Sequence, residues 1–220
     1  MTARKTAKSD AALKTAVVEA ALPHIAFDGF TDKLMSRAAK EAAATKEDML
    51  RLFPDGARSL LEAFSESVDT EMETRLAKLK IAAMPVRKRI ATAVKTRLAI
   101  LKPHKEAARR AVAHLSLPPN LALGMKLVYR TVDAMWRAAG DVSTDFNFYS
   151  KRAILAGVYT ATLVRWFTDL SEDESATDDF LAARLENVMQ FEKLKGRARE
   201  QAKKLPTLTD VLSGFAARRS

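Results

Sequence analysis

Apolar residues recur at intervals of three and four along nearly the whole chain, and no long stretch alternates apolar with polar as a strand would. Only seven glycines and seven prolines interrupt that period in 220 residues, so the fold class expected is all-α. The breakers fall where helices must end. A first helix is expected from about Asp10 to Phe27, stopped by Asp28-Gly29-Phe30, and a second enters at Thr31 or Asp32. A short third runs from Thr45 to Phe53, with Thr45 as its cap and Glu47 and Asp48 at the positive end of its dipole. After Pro54-Asp55-Gly56 a longer helix, Ala57 to about Lys80, presents Leu60, Leu61, Phe64, Val68, Met72 and Leu76 as one stripe. Pro85, Pro103 and Pro118-Pro119 then delimit helices over about 86–101 and 104–115 and one entered at Asn120 and closed by Gly140. Another helix occupies the stretch 141–167, and one more runs from Asp179 to about Lys195.

Hydrophobic residues make up 48% of the chain, enough for one sizeable core. There is no cysteine, which removes disulfides, thiolate metal sites and thiol nucleophiles. His24, His104 and His114 each lack a second ligand at metal spacing, so neither a metal site nor a catalytic residue is expected. The acidic run "DLSEDESATDDF" lacks the spacing of an EF-hand and reads as a solvated loop and helix cap. No apolar run reaches the roughly 20 residues that span a bilayer, and no secretory h-region follows the start, so the chain is expected to be neither secreted nor integral. The net charge is +10, and between Arg75 and Arg110 twelve basic residues face Glu106 alone. Such a block suits an anionic partner or a solvated helix face.

The first three helices have the layout of a helix-turn-helix followed by a connecting helix. With the Phe53-Pro54 step they resemble the amino-terminal module of TetR-type regulators. Where that family commonly holds a tyrosine and a lysine on phosphates, this chain has Leu50 and Gly56. Glu47 and Asp48 repel a polyanion, and only Lys46 and Arg51 attract one. The expectation is a retained fold without nucleic-acid binding, with a TetR-type DNA-binding transcription regulator as the alternative function.

Within "DVSTDFNFYSKRAILAGVYTATLVRWF", residues 141–167, Asp145, Phe148, Tyr149 and Arg152 fall within about a third of the helix circumference. Either Arg152 pairs with Asp145 and both aromatics enter the core, or the four form a docking surface on a helix made rigid by the charge-free run Ala153 to Val164. Met125, Val128, Val132 and Met135, facing Leu155, Val158, Tyr159 and Thr162, make both helices apolar over more than one packing partner requires. They are the candidate wall of a lipid pocket, or plain core. In the tail Pro206 starts a helix with Thr207 and Asp210 as a capping box, and Leu208, Val211, Leu212 and Phe215 form an apolar face flanked by cations. That pattern suits reversible adsorption to an anionic membrane, with packing on its own domain or on a second subunit as the alternative.

From about Pro119 to Gly196 the chain is similar to the ubiquinone-biosynthesis accessory proteins known as the ninth Coq protein of the coenzyme Q pathway. The residues that carry the resemblance are "MWRAAGDVSTDFNFYSKRAILAGVYTATLVRWF", "FLAARLENVM" and, at 52–57, "LFPDGA". The resemblance implies a TetR-like helical fold that holds an isoprenoid lipid or ubiquinone precursor and no other cofactor. It implies a non-catalytic role beside the di-iron demethoxyubiquinone hydroxylase, with a docking patch on Asp145, Tyr149 and Arg152 and with Phe148 where a tryptophan is frequent. It places the protein on the face of the inner membrane, cytoplasmic or, in a eukaryote, facing the matrix; analogy with TetR folds suggests a homodimer. Three parts are expected: a helix-turn-helix-like module with its connecting helix over 1–80, a lipid-binding and docking helical domain over 81–196, and a basic linker with an amphipathic membrane helix over 197–220.

Overall fold

The computed structural model describes the backbone of residues 2–144 and 146–204 and the side chains of 10–144 and 147–190. Among the described residues there are nine α-helices and no strand: α1 Thr2–Asp28, α2 Asp32–Glu41, α3 Lys46–Leu52, α4 Ala57–Ala77, α5 Val86–Leu101, α6 Lys105–Leu115, α7 Leu121–Ala138, α8 Phe146–Phe167 and α9 Ser175–Lys204. Short 3-10 turns precede α5, α6 and α7. The tail positions Leu208, Val211, Leu212 and Phe215, and Asp145, lie outside the described residues.

Local chemistry sets these boundaries. Thr31 caps α2 by accepting the Leu34 N–H, and Thr45 opens α3 with a capping box in which its hydroxyl accepts the Asp48 N–H while the Asp48 carboxylate accepts the Thr45 N–H. Gly56 enters α4 at φ +55° and Gly140 closes α7 at φ +82°, the left-handed region that a side chain disfavours. α9 begins at Ser175 rather than Asp179 and continues to Lys204. The early start follows from two acidic side chains: Asp173 accepts the Ser175 N–H, and Asp169 accepts both the N–H and the hydroxyl of Thr177. Hydrogen bonds from Ser171 and Thr177 hold the Asp169 carboxyl well below the usual carboxylate range.

One hydrophobic cluster runs from Val17 in α1 to Leu185 in α9, so the core is continuous across residues 80 and 81. The whole α4 stripe named above is buried, each side chain contributing about 1.5–3 kcal/mol before ordering costs. On α8 the charge-free run is buried on one side only. Leu155, Val158, Tyr159, Thr162 and Leu163 face inward, while Ala153, Gly157, Thr160 and Val164 are exposed.

The basic block meets the acidic segment. Arg87 pairs with Glu186, Lys95 with Asp178 at 2.6 Å, and Lys102 and Lys105 with Glu174. Arg89 donates to the backbone carbonyls of Ala82, Met84 and Ala139. The run after Asp169 therefore caps α9, as expected of a solvated loop and helix cap, and in addition pairs with cations of α5 and α6, which occupies part of the anion footprint.

Candidate functional site: an apolar pocket beside an aromatic patch

A cavity of about 400 Å³ opens between α5, α8 and α9. Its walls are Ile90 of α5, Ile154, Leu155 and Val158 of α8, and Leu185, Val188 and Met189 of α9, with Trp136 of α7 at one side. That volume lies within the roughly 300–1,000 Å³ of small-molecule pockets, and the mostly apolar lining suits a hydrocarbon occupant. Its charged members are each in an ion pair: Arg87 with Glu186, and Lys151 with Asp141 at 2.8 Å.

The expected wall is divided by the structure. Leu155 and Val158 line this cavity. Val128 and Tyr159 instead line a separate space of about 80 Å³ at the centre of the bundle. Val132, Met135 and Thr162 are solid core, and Thr162 spends its hydroxyl on the Val158 carbonyl at 2.7 Å. Met125 is 68% exposed. α7 and α8 pack on each other, and the space left along them is the small one of about 80 Å³; the 400 Å³ cavity lies against α5 and α9. Ile90, Ile154 and Trp136 were not among the expected pocket residues. The available signal was the apolar pair Val86 and Ile90, one turn apart on α5, because both border the cavity.

The patch is also only partly as expected. Tyr149 is 64% exposed and meets the half-buried Phe148 edge-on, with ring centroids 5.1 Å apart. Arg152, by contrast, is 2% exposed. Its guanidinium carbon lies 3.4 Å from the centre of the Phe148 ring, and it donates to Asp133 at 2.7 Å, to Asp141 at 3.1 Å and to the Phe148 carbonyl at 3.1 Å. A side chain this buried offers nothing to a partner directly; it holds the aromatic pair from below. Burial pushes the Asp141 carboxyl up, but hydrogen bonds from Lys151, Ser143 and Arg152 outweigh it and hold the pKa at about 2.

Residues 121–192 match the COQ9 family model. The chain is 31% identical over 188 residues to the mitochondrial ubiquinone biosynthesis protein COQ9 of Bos taurus, an alignment covering 83% of this chain and 59% of that protein. It is likewise 31% identical over 193 residues to the Homo sapiens COQ9, covering 83% and 59%, and 26% identical over 194 residues to the probable coq9 protein of Dictyostelium discoideum, covering 86% and 63%. The chain is a relative of the COQ9 proteins. It spans about three fifths of the length of these COQ9 relatives. The part that matches the COQ9 model contains α7, α8 and most of α9 as far as residue 192, and therefore the patch and most of the pocket wall.

The backbone also resembles a TetR transcriptional regulator from Nitrosomonas europaea, with TM-score 0.63 and 20% identity over 79% of this chain and 95% of that one. This likeness is one of fold. The face of α3 that would enter a DNA groove is unfavourable here. Arg51, one of its two cations, is held by Asp10 and by Asp48 at 2.6 Å, and Leu50 stands 65% exposed beside them. Backbone and side-chain hydrogen bonds from Thr45 and Arg51 hold the Asp48 carboxyl below its ordinary value, so it stays ionised where a phosphate would approach. Among the described residues of this COQ9 relative, no helix is long and apolar enough to cross a membrane.

Proposed function

We propose that this protein acts in ubiquinone biosynthesis as a non-catalytic accessory protein that holds an isoprenoid quinone precursor in the pocket between α5, α8 and α9 and presents it to the demethoxyubiquinone hydroxylase at the membrane. The observation that carries the reading is the apolar cavity of about 400 Å³, walled largely by the region that matches COQ9. Its lining is mostly apolar and its two cations are each in an ion pair, which supports binding as the role of this site. The exposed Tyr149, two residues before the pocket-lining Lys151 on α8, supports a docking role, because exposed aromatics on a braced helix are frequent centres of interfaces. Leu208, Val211, Leu212 and Phe215 are proposed to supply reversible adsorption to an anionic membrane.

The test is mass spectrometry of lipids extracted from the purified protein. An isoprenoid quinone or its precursor is expected to co-purify. Val158→Trp, which fills the inner wall, is expected to cut retention at least tenfold while melting stays cooperative. A lipid-free wild type, or unchanged loading of the variant, would remove the pocket from the proposal.

Tyr149→Ala is expected to weaken binding to the hydroxylase by about 2 kcal/mol, as for a central hot spot, with stability nearly unchanged because the ring is exposed. Titration calorimetry and a thermal melt of the same sample check both halves; equal affinity would move the docking surface elsewhere. The alternative is a TetR-type DNA-binding regulator, a protein with the same fold. Salt-sensitive, sequence-selective DNA binding at submicromolar affinity would replace the accessory-protein reading with it.

A further inference from the structure

The pocket is not uniform along its length. On α8 the residues facing it are Asn147, Ser150 and Lys151, followed by Ile154, Leu155 and Val158, so one helix face passes from polar to apolar over about three turns. At 1.5 Å per residue, Lys151 and Val158 are about 10 Å apart along the axis. The polar end therefore lies towards the start of α8 and the apolar end deeper along it.

Two groups at the polar end are held in a fixed relation. The Trp136 indole N–H donates to the Lys151 carbonyl at 3.1 Å, which sets the ring against the first turns of α8. The Lys151 ammonium lies 5.4 Å from the centre of the same ring and donates to Asp141 at 2.8 Å and to Ser143 at 2.7 Å. An ammonium carries three N–H donors, and two are used by these partners. Its side chain lines the cavity and is 37% exposed, so the third N–H is available to a ligand without the cost of a buried, unpaired charge. Arg87, the other cation of the lining, is taken up by Glu186 and the Ala182 carbonyl.

We infer that Trp136 and Lys151 form a head-group subsite that selects, among apolar molecules, a planar ring bearing oxygen acceptors on a hydrocarbon tail. The ring lies against the indole while one of its oxygens accepts the third Lys151 N–H, and the tail runs along Ile154 and Val158 towards α9. A plain hydrocarbon leaves that donor to water and gains nothing from it. An alkyl phosphate would take the ammonium but has no ring to lay on the indole. The assignment rests on the reading of this cavity as a lipid site and adds which end of the lipid sits where.

The experiment uses the full chain, wild type and Lys151→Met, which keeps the apolar stem and removes the donor. Three probes are titrated: decylubiquinone, dodecyl phosphate, and the uncharged fluorophore N-phenyl-1-naphthylamine, which has no oxygen acceptor. Decylubiquinone is expected to quench tryptophan fluorescence in the wild type and to bind at least tenfold more weakly to Lys151→Met, with the fluorophore within twofold of wild type. Trp136→Leu is expected to lose most of the quenching while still binding the fluorophore. If decylubiquinone binds both proteins equally while the fluorophore binds as well, the subsite is wrong and the lipid pocket stands. Loss of both probes in Lys151→Met makes the lysine structural and also overturns the subsite. If dodecyl phosphate binds more tightly than decylubiquinone, the selected head is an anion and not a ring. If no probe binds the wild type, the subsite and the lipid reading fall together.

Discussion

Replacing Arg152 by leucine is expected to destabilise the fold by about 3–5 kcal/mol, because it removes the buried cation that Asp133 and Asp141 share and leaves them only the more exposed cations Arg137 and Lys151, respectively. Asp141 is nearly as buried as Arg152, and Asp133 is only partly exposed. The loss should show in urea melts at neutral pH. It also has a sign in pH. The folded pKa of Asp141, about 2, lies below its ordinary 3.8, so its contribution is fully present above about pH 3.8 and is lost as pH falls through 2. In the leucine variant one of the bonds that depress this pKa is gone, so the acid transition should begin at higher pH. Unchanged stability and an unchanged acid limb would mean that Arg152 contributes no net stabilisation to the fold.

Asp69→Ala is expected to cost a similar 3–5 kcal/mol, at the centre of the bundle. Asp69 accepts from Arg97 at 2.8 Å and from the Thr131 hydroxyl, and Arg97 also donates to the Tyr159 hydroxyl. Burial pushes the Arg97 guanidinium down, but Tyr159 and Asp69 outweigh it and raise its pKa; removing the carboxylate leaves a buried cation with less compensation. The double variant Asp69→Ala with Arg97→Leu should recover part of the loss, because deleting both partners avoids the unpaired charge. Additive losses in this double-mutant cycle would show that the pair is not coupled. The network also explains why Tyr159 is not wall of the 400 Å³ cavity: its hydroxyl is engaged by Arg97 at the separate 80 Å³ space that both residues line.

The helices and their ends were legible in the chain because the devices that make them are local. Thr45 with Asp48, Gly56, Pro85 and Gly140 act on backbone groups within a few residues, so their effects do not depend on what packs nearby. The start of α9 was the exception. Asp169 reaches eight residues ahead to Thr177, farther than a local capping pattern extends. The period of α4 likewise named its buried face, since a helix in the middle of a bundle is covered along its length.

Coverage from elsewhere in the chain was invisible to that reasoning. Met125 and Met135 belong to one apolar stripe of α7, yet the first is 68% exposed and the second is buried, because neighbouring helices surround the second half of α7 more completely than the first. Arg152 had the sequence environment of a docking residue, and its partners Asp133 and Asp141 lie on α7 and in the loop after it. The sequence by itself determined the helical class, most boundaries and the clustering of Phe148, Tyr149 and Arg152 on α8. Only the tertiary structure decided which of those side chains reaches the surface and on which side of α8 a cavity remains. Helical period tells which residues share a face; what covers that face depends on side chains brought together from distant parts of the chain.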